Sequence, residues 1–205
     1  MEPVTEGSAG DPAVGDAVAP GVDLYWIPLG ADTSVVQWSG RVFEAVGAWW
    51  HRRARCDLFH AALIVRVAEG RYVIEQAPVP DAHGDRRGVV AGGPVGFAWL
   101  GRWRVFRYEV RRWLDGRIPD LHAAVGRPVR ISDDAAMGRA VLDVLPGVPT
   151  PVWGRDELRA GEMWNSNAVV AWTLVRAGVE IETVAVPAGG RAPGWQAGIE
   201  VARRA

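Results

Sequence analysis

Leu58 to Ala77 reads LFHAALIVRVAEGRYVIEQA, and this stretch decides the fold. Leu58 to Val67 is almost wholly apolar, the pattern of a central strand buried on both faces. Glu69-Gly70 is a turn, and Tyr72 to Ala77 makes the returning strand of a β-hairpin. Two residues break the apolar rule, His60 in the first strand and Glu75 in the second. A tight turn at Glu69-Gly70 brings them near each other on adjacent strands. Alone, His60 reads as a core histidine with one hydrogen bond. With Glu75 it reads as half of a shared polar site in which the carboxylate orients the ring.

Outward from the hairpin, Val22 to Pro28 is a short strand ended by proline. Val35, Val36, Trp38, Val42, Phe43, Val46, Trp49 and Trp50 recur at spacings of three and four, which predicts an amphipathic helix from about Ser34 to Arg53. His51-Arg52-Arg53-Ala54-Arg55 covers its last turn, where cations complement the helix dipole. After the hairpin, Asp81, His83 and Asp85 lie in a polar loop whose loose spacing suits solvated charges better than metal ligands. Arg102 to Val110 alternates like a strand, and Ser132 is the expected cap of a helix from about Asp133 to Leu145. Ile181 to Val201 reads as a hairpin-like region broken by Pro187 and Gly189-Gly190. Helix, antiparallel sheet and helix make an α+β fold. Residues 1–20 are acidic, rich in Gly, Ala and Pro, and are expected to form a disordered arm on a single domain spanning 21–205.

Composition narrows the function classes. A chain of 205 residues with 49% hydrophobic content can build one sizeable core. The net charge of -1 provides no global field for nucleic acid or an acidic membrane. All 23 Lys+Arg residues are arginines, which excludes a lysine Schiff base or a P-loop lysine. The single cysteine, Cys56, excludes an internal disulfide and a cysteine-rich zinc site. No apolar run approaches membrane-span length and no secretory signal opens the chain, so a cytoplasmic protein is expected. Among eleven tryptophans, Trp49, Trp50, Trp99, Trp103, Trp153, Trp164 and Trp195 lie within two residues of Gly, Arg or Asn. There they either line a cleft or interface or pin loops to the core.

Gly161-Glu162-Met163-Trp164-Asn165-Ser166-Asn167 precedes AVVAWTLVRAG, Ala168 to Gly178, a run apolar nearly all round and therefore a buried helix. Gly178 is its expected left-handed stop. Asn and Ser before such a helix are good caps. The same free N–H groups and dipole also favour an anion, or an oxyanion beside a nucleophile.

The order of a histidine strand, a polar-residue strand and a late helix resembles the circularly permuted branch of the NlpC-type papain-like superfamily, which includes lecithin:retinol acyltransferase-like proteins. The segments carrying the resemblance are Val22 to Pro28, Phe59 to Val65, Tyr72 to Ala77 and Trp164 to Val170. It implies an antiparallel sheet packed on a buried, nucleophile-bearing helix. The family nucleophile is cysteine, and Ser166 stands at that position here. A serine hydroxyl stays protonated, so His60 would act as general base, Glu75 would orient it, and N–H groups near Asn167 would receive the oxyanion.

The resemblance therefore implies a hydrolase or acyltransferase acting on an amide, ester or thioester of a small-molecule, peptide or lipid substrate. Neither cofactor nor metal is required, and no nucleic-acid partner is expected. The alternative is a catalytically inactive module binding a small anionic or acylated ligand at Asn165, Ser166 and Asn167, with Trp164 and Trp153 as walls. A third reading makes Arg155, Asp156, Arg191 and the tryptophans a partner interface.

Overall fold

The computed structural model describes residues 19–29, 57–79 and 88–205. Within them lie strands β1 (Gly21–Pro28), β2 (Asp57–Val67), β3 (Gly70–Pro78), β4 (Val89–Pro94), β5 (Arg107–Leu114), β6 (Val129–Ser132) and β7 (Gly190–Arg191). Three α-helices accompany them: α1 (Ala135–Val144), α2 (Ser166–Arg176) and α3 (Trp195–Arg204). The fold is α+β. Six strands follow the order β4-β5-β3-β2-β1-β6, each antiparallel to its neighbour, and β7 pairs in parallel with the start of β2.

The hairpin forms where its apolar runs and turn require, with Val67 opposite Gly70 and Leu63 opposite Ile74. Side chains alternate across a strand, and β2 divides accordingly. Phe59, Ala61, Leu63, Val65 and Val67 join the main core with α2, whereas Ala62 and Ile64 join a smaller cluster with Ile27, Val73 and Ile118. Helix α2 is buried continuously from Asn167 to Leu174, as its mostly apolar run demands, and Gly178 follows it at φ +90°. Helix α3 packs tightly against α2 because Gly198 lies on the Ala168 carbonyl, where a Cβ would collide with backbone.

Three expectations are corrected. The hairpin expected over Ile181 to Val201 is instead a 3-10 turn, the two-residue β7 and helix α3. Pro187 and Gly189 break only the segment before α3, while Trp195, Ile199 and Ala202 recur on its buried side. The strand expected from Arg102 begins only at Arg107, after two 3-10 turns, Ala98–Arg102 and Arg104–Phe106. Helix α1 is capped by Asp134, whose side chain accepts from the Ala136 N–H, while Ser132 accepts from the Asp134 N–H. The helix expected over 34–53, its basic cluster, Cys56, the loop with Asp81, His83 and Asp85, and the arm through residue 18 lie outside the described residues. Among the described residues, no helix is long and apolar enough to cross a membrane.

Candidate functional site

The start of α2 is held by two asparagines on either side of Ser166. Asn165 is extended, and its Oδ1 accepts from the N–H groups of Asn167 (3.0 Å) and Ala168 (3.2 Å). Its Nδ2 donates to the Pro193 carbonyl at 2.8 Å. Asn167 is buried and reaches the other way, into the sheet. Its Oδ1 accepts from Ala61 N–H at 2.6 Å, and its Nδ2 donates to the carbonyls of Phe59 and Pro193, both at 2.9 Å.

The sheet register explains this grip. Strand β3 pairs with β2 only as far as Leu63–Ile74 and then continues beside β5. The β2 edge at Phe59 to Ala61 thus loses its strand neighbour, and buried backbone groups need a partner. The Asn167 amide supplies one donor and one acceptor there, as a strand would. Capping and edge pairing therefore account for both asparagines.

These bonds engage groups for which oxyanion and binding roles were expected at Asn165, Asn167 and Trp164. The Asn167 and Ala168 N–H groups already bond Asn165, and Trp164, only 1% exposed, belongs to the main core. Ser166 itself is partly exposed at the first residue of the helix.

His60 and Glu75 share the other face of the sheet. His60 lies in step with Ala62 and Ile64 and opposite Ile27, all members of the smaller cluster away from α2. Glu75 follows Val73 on that face and pairs across the sheet with Arg111. Arg111, 2% exposed, donates to Glu75 Oε1 at 3.1 Å, Glu109 Oε2 at 3.1 Å and the Pro78 carbonyl at 3.2 Å. Such a buried cation needs this full set of acceptors. Burial lowers the His60 imidazole to about 4, so it is neutral near pH 7. A partnered carboxylate would raise it.

The structure thus brings His60 and Glu75 to one face of the sheet, while the Asn167 bonds to Phe59 and Ala61 set the start of α2, and Ser166 with it, at the β2 edge beside His60. Sequence reasoning also missed Arg111 and Gln76. Gln76 is 7% exposed, faces the α2 side, and both atoms of its amide lack partners among the described residues. Its place beside Glu75 was the available signal. No group of three or more His, Cys, Asp or Glu among the described residues could hold a metal ion.

A different surface is prominent. Between β4 and β5, Phe97, Trp99, Trp103, Val105 and Phe106 are all exposed, Val105 to 77% and Trp99 to 58%. The loop closes on itself, with Val95 N–H donating to the Phe106 carbonyl and successive turns at Phe97, Leu100 and Trp103. Trp99 meets Trp103 edge to face at 5.8 Å, and Trp103 meets Phe106 at 6.5 Å. The Arg102 guanidinium lies 4.2 Å from the Trp103 ring centre, and Arg155 lies 4.9 Å from that of Phe97. Of the residues expected at an interface, Arg155 joins this surface. Asp156 instead bonds the N–H groups of Ala160 and Gly161, and Arg191 approaches Glu162. Comparison with family models, curated proteins and solved structures found no match to this chain.

Proposed function

We propose that this chain works by docking and not by hydrolysis. On this reading the strand, strand and helix order that resembles permuted papain-like proteins serves as a scaffold, with Asn165, Asn167 and Arg111 joining its parts. The observation that carries this reading is the loop from Phe97 to Phe106, which holds five apolar side chains in solvent through its own hydrogen bonds. Exposed apolar surface of this kind marks an interaction site. The occupied amides at the start of α2 support it further.

A panel of ester, thioester and amide substrates tests the reading. The expected outcome is no turnover above the uncatalysed rate by the wild-type chain, with Ser166→Ala and His60→Ala indistinguishable from it. Turnover that disappears in both variants would restore the hydrolase and end the docking-only reading.

A further inference from the structure

We propose that the loop between β4 and β5 seats the protein on an anionic lipid surface. Its aromatic rings enter the boundary between headgroups and acyl chains, and its arginines pair with lipid phosphates. This names the partner of the docking loop and rests on that reading.

Tryptophan suits this boundary because its ring has an apolar body and a polar N–H. The stacking of Arg102 on Trp99 (5.5 Å) and Trp103 (4.2 Å) holds cation and ring at one level. A lipid interface presents its phosphates and its acyl boundary in the same adjacency. Charge agrees with the geometry. From Gly88 to Tyr108 the sequence carries Arg102, Arg104 and Arg107 and no acidic residue, within a chain of net charge -1. Basic residues beside an apolar anchor add attraction to an anionic leaflet.

Size and position favour lipid over an acidic protein. A stable protein interface takes roughly 20–30 residues a side, whereas this surface is one short loop flanked by Arg155. It joins β4, the terminal strand of the sheet order, to β5. The backbone bonds within the loop and the Arg107 bond to the Gly101 carbonyl (3.1 Å) preorganise it, so little order has to be created on docking.

The test is flotation of the full chain with vesicles of phosphatidylcholine alone or with phosphatidylserine added. Flotation is expected with the anionic vesicles, with a blue shift of tryptophan emission and loss at high salt. The double variant Trp99→Ser, Trp103→Ser should weaken it by at least about tenfold, and so should Arg102→Glu with Arg104→Glu. Circular dichroism should be unchanged, because Trp99, Trp103, Arg102 and Arg104 are solvent-facing and outside the core. No flotation of the wild type, or equal flotation of the tryptophan variant, overturns lipid docking. Self-association or acidic-protein binding through Trp99 and Trp103 without flotation also overturns it, while leaving the docking reading intact. Flotation together with Ser166-dependent turnover has the reverse meaning: the lipid assignment stands and the docking-only function falls.

Discussion

Asn167→Ala is expected to destabilise the fold by about 3–4 kcal/mol, measured by chemical denaturation. The substitution removes three hydrogen bonds from a buried position and strands the Ala61 N–H at an edge that β3 does not cover. A buried donor without a partner is costly by roughly 1–3 kcal/mol, and the Phe59 carbonyl loses its contact as well. Pro193 keeps the Asn165 amide, which sets an upper bound on the loss. Asn167→Asp should be no milder, since it retains the acceptor for Ala61 but turns a carboxylate oxygen toward two carbonyls. Ser166→Ala, one residue away, should change stability by less than about 0.5 kcal/mol, the ordinary range for a surface substitution. That contrast separates an asparagine that joins helix to sheet from a serine with no structural duty.

His60 provides the second large effect, as a dependence of stability on acid. Its ordinary value of 6.5 applies to the unfolded chain, and burial brings the folded value to about 4. Above both values the ring is neutral in each state and contributes no pH dependence. Between them only the unfolded chain takes up the proton, so stability falls as pH drops through this window. The loss is on the order of 3 kcal/mol once pH is below the folded value. Glu75, Glu109 and Arg111 lie close by in the sheet, so the useful comparison is with His60→Leu. Denaturation at about pH 7 and about pH 4.5 should show the wild type losing roughly 2–3 kcal/mol more than the variant. Equal losses would mean that His60 is not buried in its neutral form.

The hairpin was legible because its apolar runs and turn point to one register, and α2 because an uninterrupted apolar run needs burial on all sides. The facing of His60 was harder. Its parity with Ala62 and Ile64 is plain in the sequence, but a strand apolar on both faces does not reveal which face a distant helix will cover. Resemblance of order filled that gap by placing Ser166 with His60, whereas alternation fixes only that His60 lies in step with Ala62 and Ile64. The bonds of Asn167 to Phe59 and Ala61 span more than a hundred residues, so local sequence shows only a helix cap. Trp103, Val105 and Phe106 imitate a strand, yet core contacts begin at Tyr108 and Val110 and leave the preceding aromatics outside. Helix α3 was hidden behind Pro187 and Gly189-Gly190, which break the segment before it.

Labelling of the native chain with a fluorophosphonate, read by intact mass and peptide mapping, tests the central claim most directly. The docking reading predicts no adduct at Ser166, whose neighbouring Asn167 and Ala168 N–H groups already bond Asn165. An adduct at Ser166 that forms in the wild type and vanishes in His60→Ala would contradict it.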